Sequence, residues 1–271
     1  MIRETTKYEV MDVKKFPIAL QLYSIRDSVH RDFEDALAQV SALGYDGVEF
    51  AGLFGKSAEE VKALCKKYNL VPVSAHVGFE ELMGDPEGVL QTYSEIGCRY
   101  VAIPYLSPEY RPGSDRFLEV IEGARMLGKV AKEKGMTLLY HNHAFEFKKI
   151  EDKYALDMLY DSVSADLLKT ELDLCWVKVG GEAPESYLSK YANRAPVVHF
   201  KDFSKQAEDG MPCYCPLGMG VQDVNALLAA SVDAGVQWIV VEQDEPTEGL
   251  TRMECVKKSI EYLRFKMEED I

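Results

Sequence analysis

Short apolar runs alternate with longer stretches of helical period along the 271 residues. The apolar runs are PIALQLYS (17–24), GVEFAG (47–52), VPVSAHV (71–77), YVAIPYL (100–106), TLLYHNH (137–143), KTELDLCW (169–176), PVVHFKDF (196–203) and WIVVEQDE (238–245). Each has the length of a strand and lacks the polar alternation of a half-exposed sheet, as expected of parallel strands covered on both faces. Between them, DFEDALAQVSALG places Phe33, Leu37, Val40 and Leu43 on one helical face. RFLEVIEGARMLGKVAKEKG does the same with Phe117, Val120, Ala124, Leu127 and Ala131. Ser57 and Glu60 stand at capping-box spacing. Gly44, Gly97, Gly135 and Gly235 each close a helix just before the next strand, because glycine tolerates the left-handed conformation that ends a helix.

Eight strand–helix repeats at a mean separation of about 30 residues match the size of β–α units. No low-complexity tract or linker divides the chain. The count favours a single (β/α)₈ TIM barrel over an open doubly wound sheet, with an N-terminal extension over residues 1–16 and the barrel over 17–271.

Composition adds limits. There are 31 Lys plus Arg against 45 Asp plus Glu, a formal charge of −14, which disfavours a nucleic-acid partner because a phosphate backbone needs clustered positive charge. The six cysteines show no framework spacing, and CYC at 213–215 is not the C-x-x-C of a structural zinc site, so free thiols are expected. The N-terminus is charged throughout, unlike a signal peptide, and no apolar run reaches 18 residues. The expectation is a cytoplasmic protein without a membrane segment.

In barrels of this kind the working groups sit at the C-terminal ends of the strands. Those ends carry Gln21 and Tyr23, Glu49, His76, Pro104 and Tyr105, then His141, Asn142, His143 and Glu146. Asp173, Cys175 and Trp176 follow, then His199, Lys201 and Asp202, and finally Glu242, Gln243 and Asp244. Of the five histidines only His30 lies elsewhere. Taken singly, each residue has a plain role: Glu49 pairing with a lysine, Asp173 capping a turn, His76 hydrogen-bonded in the core, Lys201 and Asp202 a solvated pair, Trp176 packing. Their coincidence at one rim points instead to a site. Convergence of Glu146, Asp173, His199 and Glu242 gives three carboxylates and an imidazole without a thiolate, a set suited to one divalent cation such as Mn²⁺, Mg²⁺, Co²⁺ or Zn²⁺.

YHNHAFEF, ELDLCWVKVGG, HFKDF, PLGMGVQD and VVEQDE, in this order, resemble the xylose-isomerase-like TIM barrels, and among them the sugar phosphate isomerases/epimerases. ALQLYS and GVEF fit the first half. The resemblance implies one divalent metal held by Asp173, His199, Glu242 and a strand-five residue, assigned here to Glu146, with His141 as the alternative. It further implies that Glu146 and Glu242 act as acid and base on opposite sides of a carbohydrate. Lys201, His141 and His143 would bind hydroxyls or polarise the carbonyl, Gln21, Glu49, His76 and Trp176 would line the substrate with them, and Trp176 and Tyr105 would stack on its apolar face.

The reaction so implied is isomerisation or epimerisation of a sugar, ketosugar or polyol through a metal-stabilised enediolate. No Lys/Arg cluster accompanies the GMG loop at 218–220, so an unphosphorylated substrate fits at least as well. The same groups suit a metal-dependent lyase or dehydratase of keto-sugars or 3-keto-glycosides. A non-catalytic sugar-binding or partner subunit is the reading from another class, and the fold also accommodates a homo-oligomer.

Overall fold

The computed structural model describes residues 16–208 and 210–269. Apart from Phe16, the expected N-terminal extension lies outside the described residues. All eight apolar runs contain a strand, each shorter than its run: β1 (Ile18–Gln21), β2 (Gly47–Phe50), β3 (Val71–Ala75), β4 (Tyr100–Ile103), β5 (Thr137–His141), β6 (Lys169–Asp173), β7 (Val197–Phe200) and β8 (Trp238–Val241). Every pairing between them is parallel. The order around the sheet is β3-β2-β1-β8-β7-β6-β5-β4. Closure comes between β3 and β4, where His76 bridges Ala102 and the Val77 amide donates to the Ala102 carbonyl at 3.0 Å. This is the TIM barrel that the sequence pattern predicts.

Side chains at the strand ends cut the strands short. The Gln21 side chain accepts from the Tyr23 amide and starts a 3₁₀ turn over Leu22–Ile25. The Asp173 side chain accepts from the Trp176 amide and caps a helix over Leu174–Val179, which places Trp176 on a helix rather than on strand six. Ser57 and Glu60 form the expected capping box at the head of Ala58–Lys67. Gly44, Gly97, Gly135 and Gly235 all have positive φ, from 73° to 109°. Two antiparallel hairpins add to the pattern that the sequence predicts: Lys149–Ile150 with Lys153–Tyr154, and Asp202–Gln206 with Pro212–Cys215. The second contains the CYC motif, and all six cysteines are free thiols. No helix among the described residues is long and apolar enough to cross a membrane.

Alternate strand residues face opposite ways. Ala19, Val73, Ala102, Leu139, Val197 and Val240 fill the barrel interior, while Leu20, Val48, Leu138, Leu172 and Val198 lie in the core shared with the helices. One β-bulge alters this parity. Val48 opposes Pro72 but Glu49 opposes Ser74, so β3 carries an extra residue. With it inserted, Val73 and His76 both face inward, and His76 Nε2 stands 3.0 Å from Glu49 Oε1. A bulge re-aims side chains in this way at the rims of barrels.

Gly47 sits where interior side chains crowd. A Cβ there would lie 2.6 Å from the Val71 carbonyl oxygen, 2.8 Å from Val73 Cγ2 and 3.2 Å from the Trp238 ring. Gly47→Ala is therefore expected to overpack the barrel floor and cost about 1–3 kcal/mol. Urea denaturation checks this: the midpoint falls while the m value is unchanged.

Candidate active site

The inward positions next above this apolar layer are polar. β2 supplies Glu49, β5 His141, β6 Glu171 and Asp173, β7 His199, and Lys201 and Glu242 follow β7 and β8; all are buried. Glu171 and Asp173 face in together because they are two residues apart on one strand. Glu171 Oε2 lies 2.7 Å from His76 Nε2, 3.3 Å from His141 Nδ1 and 3.4 Å from His199 Nε2. Glu49 Oε1 lies 3.0 Å from His76 Nε2 and 2.9 Å from His199 Nε2. Nearer the mouth, Lys201 Nζ stands 3.1 Å from Asp173 Oδ2, 2.8 Å from Glu242 Oε2 and 3.3 Å from Asp244 Oδ1.

The two histidines between these layers present one nitrogen to each. His199 Nδ1 bonds Glu242 Oε2 at 2.8 Å while its Nε2 faces Glu49. His141 Nε2 lies 3.7 Å from Asp173 Oδ2 while its Nδ1 faces Glu171.

Charge balance governs the titration of these groups. Burial works against an imidazolium at His76, yet Glu49 and Glu171 hold its pKa up to about 10. His199 is likewise pushed well above the ordinary histidine range, against burial, by Glu49 and Glu171. Burial, with the positive charges of His199, His76 and Lys201, drives His141 well below that range. Burial and Lys201 bring His143 down to about 3. Lys201 stays charged despite burial because Asp173, Asp244 and Glu242 surround it. Glu171 is pushed up to about 7 by burial and by the charge on Glu49.

The donors fit a divalent cation. Two overlapping groups, His76/His141/Glu171/His199 and His141/Asp173/His199/Glu242, each bring four ligand atoms within 4.8 Å of one another. Glu49 Oε2, His141 Nδ1, Glu171 Oε1, Asp173 Oδ2 and His199 Nε2 are buried with no aligned hydrogen-bond partner. Orphaned lone pairs of this kind are costly unless something satisfies them. Imidazole and carboxylate without thiolate suit Zn²⁺, Mn²⁺ or Co²⁺.

A cavity of about 1230 Å³ opens above the cluster, and His76, His141, His143, Lys201, Glu242 and Asp244 line it. Its wall is aromatic. His143 stacks on Phe145 with an interplanar angle of 10° and centroids 5.5 Å apart, and it lies 5.1 Å from the Trp176 ring. Tyr105 meets His143 edge-on, and Arg111 covers the Tyr105 and Phe145 rings.

Several residues singled out from the sequence do not meet in this cluster. Glu146 is buried but sits on a 3₁₀ turn, where Oε1 accepts from the Tyr140 hydroxyl at 2.7 Å and Oε2 from the His143 amide at 2.8 Å. Tyr140 faces away from the barrel interior, opposite to His141, so Glu146 is drawn to the outer side of β5 and is absent from both candidate ligand groups. Gln21 is fully buried and donates to Glu49 Oε1 at 2.6 Å, holding that carboxylate rather than facing the cavity.

Asn142 ties β5 to β6, accepting from the Asp173 amide at 3.0 Å and donating to the Asp173 carbonyl. The Asp202 carboxylate accepts from the amides of Gly218, Gly220 and Gln222 at 3.0–3.1 Å, so the GMG loop has its anion supplied from within. Glu171, inside KTELDLCW, joins the cluster although it is not at a strand end. Its signal was available, because a glutamate inside a doubly covered strand is almost never buried unless paired.

Burial pushes the Glu146 carboxyl up to about 7 from 4.5, against the hydrogen bonds from Tyr140 and His143. Between those values the folded chain holds a proton that the unfolded chain has released. The associated stabilisation is complete below about pH 4.5 and is lost as pH rises to about 7, on the order of 3 kcal/mol. Glu146→Gln is expected to flatten this decline, measured as urea stability from pH 5 to 8.

Comparisons with known proteins agree with the fold. The model of the xylose isomerase-like TIM barrel family matches residues 37–266. The inosose dehydratase of Clostridium beijerinckii is 24% identical over 190 residues, 63% of this chain and 63% of that protein, so the match spans less than two thirds of that relative's length. A sugar phosphate isomerase/epimerase from Parabacteroides distasonis superposes with a TM-score of 0.78 over 99% of this chain and 100% of its own, at 21% identity. The IolI protein with a bound zinc atom superposes with a TM-score of 0.76 over 94% of this chain and 99% of its own, at 15% identity. Likeness at such identities is of fold, whereas the family match extends over most of the sequence. The chain belongs to the xylose isomerase-like TIM barrel family.

Proposed function

We propose that this protein is a divalent-metal-dependent enzyme that removes the proton beside the carbonyl of a cyclic keto-sugar or keto-polyol and expels the β-hydroxyl as water. The observation that carries the reading is the buried cluster of imidazoles and carboxylates, with Lys201 among them, at the floor of a large cavity. In this reading His141 and His199 contribute the imidazole donors to the metal, and His141 takes the strand-five place first assigned to Glu146. A divalent cation bound there supplies electrophilic polarisation of the carbonyl.

Glu242 is the proposed base. Lys201 and His199 hold it anionic despite its burial, and it lines the cavity. Lys201, 2.8 Å from Glu242, is the proposed acid. Glu242 takes the α-proton, and the C–H electron pair forms the C=C of an enolate as the carbonyl π pair moves onto oxygen. The carbonyl then re-forms, and the C=C pair shifts to the Cα–Cβ bond as the leaving group departs. The C–O bond breaks in that step, with its pair leaving on the hydroxyl oxygen. That oxygen takes a proton from Lys201, and Lys201 recovers one from Glu242. The sum is substrate to unsaturated ketone plus water, with the protein restored. His143, held neutral beside the aromatic wall, offers a ring nitrogen to a substrate hydroxyl, and Trp176 and Tyr105 give the apolar ring face a surface.

Elimination is favoured over isomerisation by where Glu146 lies. Epimerisation through two opposed carboxylates needs a second one across the substrate from Glu242, and Glu146, expected to fill that place, is turned to Tyr140. The curated relatives named inosose dehydratase agree with elimination. Isomerisation or epimerisation is the second reading: it starts from the same proton abstraction, and the fold neighbour from Parabacteroides distasonis favours it. Phosphate has no open loop to bind at 218–220, because Asp202 fills it, which supports an unphosphorylated substrate.

The test is turnover of keto-inositols, 3-keto-glucosides and simple ketoses by the chain loaded with Mn²⁺, Co²⁺ or Zn²⁺, followed by mass spectrometry in deuterated water. Loss of one water is the expected result. Conserved mass with deuterium uptake assigns isomerisation instead, and absence of both turnover and exchange overturns the enzyme reading. Glu242→Gln and Lys201→Met should each slow the reaction by about 10²–10⁴-fold, while Glu146→Gln stays within a few-fold of the wild-type rate.

A further inference from the structure

We propose that Tyr214 is a positioning residue for the reaction: its hydroxyl hydrogen-bonds the Asp244 carboxylate and so frees one N–H of Lys201 for the substrate. This rests on the elimination reading above, in which Lys201 is the acid, and it gives the CYC motif a part in that chemistry.

The hairpin that follows β7 brings Tyr214 to the site. Cys215 pairs with Asp202 and Tyr214 with Phe203. Parity carried back one residue sets Lys201 on the Phe203–Tyr214 face, and Asp202 with Cys215 on the other. Asp202 holds the GMG loop from its side, whereas Lys201 and Tyr214 meet at Trp176. Lys201 Nζ lies 6.0 Å from the centre of the Trp176 ring, and the Tyr214 ring stands edge-on to it with centroids 6.5 Å apart. A second tether joins the tyrosine to the segment after β8, where the Thr247 hydroxyl donates to the Tyr214 carbonyl at 3.2 Å. That segment carries Asp244 and is itself fastened. Arg26 and Arg252 both donate to the Asp244 carbonyl, at 2.6 and 2.7 Å.

The Tyr214 hydroxyl is buried with no aligned hydrogen-bond partner. A phenol so placed is costly unless it finds one. The polar side chains beside it are Lys201, Asp244 and Cys175. An ammonium accepts nothing and a thiol accepts weakly, which leaves the Asp244 carboxylate as the partner. Asp244 is also the loosest of the three carboxylates around Lys201. Both its oxygens stand 3.3 Å from Nζ, against 3.1 Å for Asp173 and 2.8 Å for Glu242. An ammonium has three N–H bonds, so all are engaged until one carboxylate gives way. Asp244 lines the cavity, and its contact is the one that a departing substrate oxygen replaces. Asp244 then needs another donor, and the Tyr214 hydroxyl supplies it. Tyr214 stands behind the cavity wall rather than on it, so its effect falls on the chemical step and not on binding.

Two measurements on the whole chain test this, with folding of each variant checked by circular dichroism. Urea denaturation of Tyr214→Phe, Asp244→Ala and the double variant reports on the contact without needing turnover. Tyr214→Phe should lower the folding equilibrium constant about 10-fold by itself and less than about 2-fold in the Asp244→Ala background. An equal loss in both backgrounds overturns the pairing. Steady-state kinetics with keto-inositols and 3-keto-glucosides reports on the role. Tyr214→Phe should lower kcat about 10-fold with KM within about 2-fold of wild type, while Cys213→Ser, from the opposite face of the same strand, leaves both unchanged. A raised KM at unchanged kcat, no effect on either, or an equal fall in Cys213→Ser overturns the positioning role and leaves the elimination reading standing. If the wild type turns over none of these substrates, that reading falls and this role with it.

Discussion

The constraint on which the rest of this structure depends is charge compensation at the top of the barrel. Glu49, Glu171, Asp173 and Glu242 are buried together, and among the described residues Lys201 is the only lysine or arginine that forms an ion pair with any of them. An ionised carboxylate in such a place is costly unless it is paired and hydrogen-bonded. Protons on His76 and His199 supply part of the missing positive charge, and a divalent ion of the proposed kind would supply it without them. Much of the local architecture serves to aim these groups: the bulge in β3, the Gln21–Glu49 bond, the Asn142 tie between β5 and β6, and the capping of Leu174–Val179 by the same Asp173 that faces Lys201. A tightly filled apolar layer below, with a glycine where the Val71 carbonyl and the Val73 side chain leave no room for a Cβ, forms the floor beneath them.

The barrel was legible because its signals are local and repeated: eight apolar runs, stretches of helical period between them and glycines at the stops. The site was legible where strand parity carries it. Leu139 and His141, or Val197 and His199, must share a face, so the end of each strand declares its inward residue. Glu171 obeys the same rule and could have been read from KTELD. Glu146 could not. It lies beyond the last residue of β5, where a 3₁₀ turn replaces the period of two, and its direction is set by Tyr140, whose hydroxyl is reached only because that side chain points outward. A run of His, Asn, His and Glu reads as one cluster in sequence, yet the fold divides it. His141 goes to the interior, Asn142 to a backbone tie, His143 to the cavity wall and Glu146 to the outer layer.

The GMG loop shows the same limit from another direction. A glycine-rich turn with exposed amides is a natural place to expect a phosphate. Here the preceding HFKD segment supplies Asp202, and its carboxylate takes the amides at 218, 220 and 222. Gly220 approaches so closely that a Cβ would sit 2.2 Å from Asp202 Oδ1. The two motifs are therefore one device, an internal anion and its cradle, which holds the loop beside β7. Neither motif alone discloses this, because the pairing spans a hairpin that the sequence pattern did not announce.

The division of HNHAFEF also bears on the chemistry. A carboxylate on each side of a substrate allows a proton to leave one face and return to another. With Glu146 outside, Lys201, Glu242 and Asp244 line the cavity from the β7–β8 side, and His143, Phe145 and Trp176 line it as well. Two adjacent groups that share a proton are suited to removing it from one carbon and delivering it to an oxygen on the next. The aromatic wall offers binding surface; burial and Lys201 hold His143 neutral there, and Arg111 lies over the Tyr105 and Phe145 rings. In the proposed elimination the proton traffic runs along one side, from the substrate carbon to Glu242 and from Lys201 to the departing oxygen.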